Sequence, residues 1–233
     1  MKVCIDAGHG GKDGGAQGAS VAEKWIALDV ANRVAQKLQN SGMSVVMTRD
    51  SDYFVELAER ANIANQTGAD VFVSIHCNSG PSTAQGTEVW TYPGAAEDKR
   101  LAEELLERMI ARTGLRSRGT KEENFAVLRL TRCPAALVEL GFISNPEEEQ
   151  TMKTFDYQDQ ASTAIVEGIK KFIGIVEVED MQQSYDNTVD NMLNDGIIET
   201  KNMANWEKFL DGREIPKPEY IRTVLDRYHE KVK

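Results

Sequence analysis

At 233 residues the chain has room for one well-buried α/β domain of about 170 to 200 residues plus a small appendage, which excludes two large domains. A net charge of -10 would repel nucleic-acid phosphates, so nucleic acid is excluded as an expected partner. Hydrophobic residues make up 41% of the chain and 18 glycines come in addition, a globular composition rather than a disordered one.

Cys4, Cys77 and Cys133 are odd in number and lie in or beside apolar runs, so they read as small buried hydrophobes and not as a disulfide framework. No stretch reaches the roughly 18 consecutive apolar residues of a membrane span. The chain goes from Met1 straight into a strand-like run, without a charged, apolar, cleavable leader. As a native start this implies synthesis in the cytoplasm with no secretory signal; a mature chain numbered after leader removal would read the same.

In chain order, apolar runs of strand length occupy residues 2–6, 43–48, 70–76, 86–92, 125–130 and 135–140, and stretches of helical period lie between them. The alternation predicts an α/β fold with about six strands in a mixed, mostly parallel twisted sheet and helices on both faces. Between the first two runs, Ala27, Val30, Ala31, Val34 and Leu38 recur at helical spacing and stop before Gly42. A second helix is expected to end near Gly68. A third, over about 97–113, puts Leu101, Leu105 and Met109 on one face and stops at Gly114. Asn145 and Pro146 followed by Glu147, Glu148 and Glu149 read as a helix start: a cap, a proline at the first position, and acids facing the positive end of the dipole. A closing helix then runs to about residue 173. The character changes beyond about residue 176, so residues 1–176 are read as one domain, 177–183 as an acidic, glutamine-rich linker and 184–233 as a small all-helical module. Trp206, Phe209 and Leu210 with Tyr220, Ile221, Val224, Leu225 and Tyr228 give that module a helical core; wall binding, self-association and simple stabilisation are its open roles.

Three apolar runs end in an ionisable residue. VCID gives way to AGHGG, DVFVSI ends in His76, and AALV ends in Glu139. Ligands collect at the carboxyl ends of strands in open α/β sheets, so His9, His76 and Glu139 are expected to share a cleft. The glycines around His9 let the backbone turn sharply and leave the imidazole open. Phosphate binding by that loop is disfavoured, because its spacing fits neither GxxxxGK[ST] nor a convincing GxGxxG.

His9 and His76 are the histidines available in the α/β part, since His229 lies in the terminal module. A catalytic zinc takes three protein ligands and keeps one open position, so two histidines call for a carboxylate. Glu23 leads, because it opens the helix directly after the His9 loop. Taken alone, Glu23 is an ordinary acid at a helix N-terminus, His9 a turn histidine and His76 a core histidine; the three at converging positions are harder to explain that way. Glu139 sits inside an apolar run, where an unpaired carboxylate is costly. Either it forms a buried ion pair or it works beside activated water, its pKa raised by apolar surroundings or lowered by a metal.

The segments IDAGHGGKDGGAQG, VAEKWIALDVANRV, TRD, ERANIAN, ADVFVSIHCNS, VLR and PAALVELGFISN follow in that order over roughly residues 1–174. They resemble the zinc-dependent N-acetylmuramoyl-L-alanine amidases of the amidase type 3 family. The resemblance implies a hydrolase of peptidoglycan that cuts the amide between N-acetylmuramic acid and L-alanine with one zinc ion (Zn2+) per chain. It implies His9, Glu23 and His76 as metal ligands and Glu139 as the catalytic acid–base. It also lays residues 116–124 along the substrate groove, with Asn124 and Arg129 as contacts to the peptide, against a competing reading as solvated surface charge. Ala7 stands where many relatives have proline, and Cys77 where they often have a small apolar residue, which opens metal binding or oxidation to that thiol. Without a leader, the expected setting is a phage or prophage endolysin released by a separate pore, or an enzyme freed when its own cell lyses. Two rivals are a zinc peptidase acting within the stem peptide and a noncatalytic wall-binding protein.

Overall fold

The computed structural model describes residues 1–175, in which a strand and a helix alternate from the start. The elements are β1 (Lys2–Ala7), α1 (Glu23–Asn40), β2 (Ser44–Met47), α2 (Leu57–Thr67), β3 (Val71–Asn78), β4 (Thr87–Thr91), α3 (Ala96–Thr113), β5 (Ser117–Glu122), α4 (Ala126–Leu130), β6 (Ala135–Phe142), α5 (Pro146–Met152) and α6 (Phe155–Phe172). The expected linker at 177–183 and helical module at 184–233 lie outside the described residues. No helix among the described residues is long and apolar enough to cross a membrane.

The six strands form one sheet in the order β2-β1-β3-β6-β4-β5. β4 runs antiparallel to β6 and every other neighbouring pair is parallel, so the sheet is mixed and mostly parallel, as the sequence implies. Successive side chains on a strand point to opposite faces. Val71, Val73, Ile75 and Cys77 of β3 accordingly join the larger core with α1, α3 and α6, while Phe72 joins a smaller core with Ala64 of α2 and Val127 and Leu128 of α4. Each wholly buried isoleucine or leucine in these layers, such as Ile5, Ile165 and Ile169, contributes roughly 1.5–3 kcal/mol of transfer free energy.

One strand expectation is corrected. Residues 126–130 are helical, with Phe125 as the extended cap: Val127 and Leu128 bury one side of α4, while Leu130 is exposed. The fifth strand is instead SRGTKE at 117–122, a sheet edge with no fully buried residue, so it carries no apolar run to betray it. Short apolar runs do not separate strand from helix by periodicity alone.

Helix ends follow their punctuation. Gly68 and Gly114 close α2 and α3 in the left-handed conformation, at φ 65° and 68°. Asn145 Oδ1 accepts the N–H groups of Glu147 (2.9 Å) and Glu148 (3.3 Å), capping α5. Of the three acids behind it Glu147 is exposed as a dipole partner should be, but Glu148 and Glu149 are buried.

Candidate metal centre

Strand β1 ends on the fully buried Asp6, which accepts from Thr48 Oγ1 and Ser74 Oγ, both at 2.6 Å, and pairs with Arg60 Nη1 at 2.8 Å. Burial alone would raise the Asp6 pKa; the Arg60 guanidinium and the two hydroxyls more than reverse this and hold it low. Arg49 and Arg60, both buried, direct further N–H groups to the loop that follows. Arg49 donates to Ala7 O (2.8 Å) and Gly8 O (2.7 Å), and Arg60 to Ala7 O and His9 O, both at 2.6 Å. Three successive carbonyls are thereby clamped. The clamp explains how His9 persists at φ 62°, the one non-glycine residue at positive φ among the described residues. Glycine at position 8 is required by space, since a Cβ there would lie 2.4 Å from His76 Cε1.

Glu23 opens α1 and is buried. Its Oε1 lies 2.8 Å from His76 Nδ1 and 3.1 Å from His9 Nε2, and accepts the Cys77 N–H at 2.9 Å. Its Oε2 accepts the Ala16 N–H at 2.7 Å. The two imidazoles meet edge to face with centroids 4.8 Å apart. On the far side of His9, Nδ1 lies 2.9 Å from Asp13 Oδ2, and Asp13 Oδ1 accepts the Gly15 N–H at 3.0 Å. One donor atom from each of His9, Glu23 and His76 falls within 4.8 Å of the others.

This donor set fits a zinc ion: two imidazoles and one carboxylate converge on the lining of a cleft, and an outer carboxylate orients one ring. Electrostatics point the same way. Burial disfavours the charged form of both imidazoles, yet Glu23 outweighs it and raises both pKa values. Burial also works against the Glu23 anion, but the two imidazoles hold its pKa well below the ordinary carboxylate range. A buried negative charge is thus kept facing two neutral-or-cationic rings, a place for a proton or a metal cation.

Glu139 is the register partner of His76 on the neighbouring strand β6. Burial is the main cause that raises its pKa to about 7; the anions of Glu23 and Glu88 add to it and His76 opposes. Its Oε2 is buried without a hydrogen-bond partner. Glu88, paired with Glu139 across β4 and β6, is itself held low despite its burial by Lys121 Nζ (2.5 Å) and Arg118 Nε (2.7 Å).

His9, Glu23, His76 and Glu139 all line one cleft of about 550 Å3, with Asp13 on the same side and Phe54, Val55, Leu57, Phe125, Val127 and Leu137 forming an apolar wall. Asn124 and Arg129 do not line it. They are exposed and bonded to each other, Arg129 Nη1 to Asn124 Oδ1 at 2.6 Å, flanking the segment 125–127 that does. Cys77 follows His76 on the strand, so its side chain enters the larger core on the opposite face, and burial raises its thiol pKa well above the ordinary value. Sequence reasoning passed over Asp13, Arg49, Arg60 and Glu88. TRD and ERANIAN contain the two arginines, but a charged letter in a sequence carries no sign of burial.

A model of the family described as N-acetylmuramoyl-L-alanine amidase matches residues 3–171. The chain belongs to that family. This amidase-family chain is 41% identical over 170 residues to the N-acetylmuramoyl-L-alanine amidase LytC of Bacillus subtilis, a match that covers 71% of the chain and 34% of LytC. It is 34% identical over 180 residues to the endolysin of Bacillus phage SPP1, covering 74% of the chain and 66% of the endolysin. The chain therefore spans about a third of LytC and just under two thirds of the endolysin. Among solved structures, the catalytic domain of CwlV, an amidase from Paenibacillus polymyxa, superposes with a TM-score of 0.72 at 38% identity, over 75% of this chain and 99% of that one.

Proposed function

We propose that this chain hydrolyses the amide joining the lactyl group of N-acetylmuramic acid to L-alanine in peptidoglycan, with one zinc ion held by His9, Glu23 and His76. The convergence of those three side chains beside Glu139 carries the reading, and membership of the amidase family supports the substrate. Bound there, zinc supplies Lewis acidity to the scissile carbonyl and acidifies water.

The protein's own groups do the rest. Glu139, with a buried unpartnered Oε2 and a pKa near neutrality, takes the proton released as water adds to the carbonyl carbon. It returns that proton to the nitrogen as the C–N bond breaks, leaving a lactyl carboxylate and a free alanine amine. Asp13 fixes the ring of His9, and Arg49 with Arg60 hold the loop that presents it. Burial beside the apolar wall holds the Glu139 pKa near neutrality, where one carboxylate both accepts a proton and returns it. Likeness to a phage endolysin supports release at lysis as the setting. Product analysis of purified peptidoglycan tests the assignment: new amino termini on L-alanine alone are expected, whereas new termini within the stem peptide would replace it with a zinc peptidase.

A further inference from the structure

Residues 16–23 fold back on themselves before α1. Gln17 and Ala22 are bridged, Gly18 N–H donates to Val21 O and Glu23 N–H to Ala16 O, both at 2.9 Å, while Ala16 N–H donates to the Glu23 side chain. The tip of this reversal is held from far along the chain. Glu149 of α5, wholly buried, accepts on Oε1 from Ser20 N–H (2.7 Å), Ser20 Oγ (2.9 Å) and Val21 N–H (3.1 Å), and on Oε2 from Ala19 N–H (3.1 Å). A Cβ at Gly18 would lie 2.6 Å from Glu149 Oε1, so the close approach needs glycine there. Capping α5 is the work of Asn145, which leaves this carboxylate turned to the loop. Three consecutive amides on one buried carboxylate fix both the place and the direction of the tip, and Glu23 lies two residues beyond the last of them.

We propose that Glu149 is a positioning residue for the metal centre: by gathering the amides of Ala19, Ser20 and Val21 it sets the place of Glu23, the carboxylate that both imidazoles face. The inference rests on the metal role given to Glu23 above. Glu148 accepts in the same manner from Phe142 N–H (2.6 Å) and Gly86 N–H (2.7 Å), so α5 also holds the end of β6 and the residue ahead of β4.

The test is the zinc dissociation constant of the full chain and of Glu149→Gln, measured by chelator competition. Glutamine keeps the shape but turns an N–H group toward backbone donors. A rise of about tenfold is expected, the low end of the range for a direct outer partner, since Glu149 reaches Glu23 only through the loop. Equal affinity in both proteins, even with a lower Tm for the variant, would overturn the positioning role and leave Glu149 a fold-supporting residue. Absence of zinc binding by the unaltered chain would instead defeat the metal reading itself. Should Glu149→Gln not fold, Glu149→Asp keeps the charge but withdraws it by one methylene from the amides of Ala19, Ser20 and Val21; about a threefold rise is then expected, and no rise overturns the proposal.

Discussion

Glu139 and His76 stand at matching positions of the neighbouring parallel strands β6 and β3 and therefore project from the same face of the sheet. Strand pairing, not a loop, sets the separation of the proposed acid–base from a proposed metal ligand. The hydrogen-bonded ladder that holds them is covered by core residues on both faces, so the pair is pre-organised by the packed sheet.

Glu139→Gln separates chemistry from metal binding. Wall-clearing activity should fall by at least about 100-fold, the range for loss of a general acid–base, while zinc stays near one per chain by elemental analysis. Activity within a few-fold of the unaltered chain would remove Glu139 from the mechanism.

The same substitution has a pH signature in the metal-free protein. Glu139 ionises at about 7 when folded and near its ordinary 4.5 when unfolded, so the folded state binds the extra proton between those values. Stability linked to that proton is present below pH 4.5 and lost as pH rises through 7. The Tm of Glu139→Gln relative to the unaltered chain should therefore climb between pH 5 and 7.5 and level off above; a difference that is flat with pH contradicts a raised pKa.

His9→Ala and His76→Ala should each abolish stoichiometric zinc binding. Asp13→Asn should keep the ion but weaken it by about 10- to 100-fold, because only the orienting partner of His9 changes. Chelator competition across the three variants reads the order directly, and an Asp13→Asn chain that binds zinc unchanged would show that the His9 ring is fixed by its loop alone.

Arg60→Met leaves Asp6 buried and without its cation. A loss of about 3–5 kcal/mol in urea unfolding is expected, far above that of a surface ion pair. A loss under about 1 kcal/mol would mean that the Thr48 and Ser74 hydroxyls suffice for Asp6.

The parts of the site legible in the sequence are those where charge interrupts an apolar run: His9 after β1, His76 within β3 and Glu139 within β6. Glu23 needed the added requirement of a third ligand. β5 escaped because an edge strand of SRGTKE owes its form to pairing with β4, a partner far along the chain. FAVLRL reads as a strand because its burial against α2, rather than any period, makes it helical. Glu148 and Glu149 look like dipole acids in sequence, and only the fold shows that their carboxylates reach backbone amides more than 60 residues away, as at Gly86 and Ser20.

Whether His9, Glu23 and His76 share one ion is read most directly by zinc-edge X-ray absorption on the stoichiometrically loaded chain. Two imidazole nitrogens at about 2.0–2.1 Å with a carboxylate oxygen at about 2.0–2.2 Å are expected. A sulfur neighbour at about 2.3 Å, which would implicate a cysteine, or fewer than two imidazoles would contradict the site.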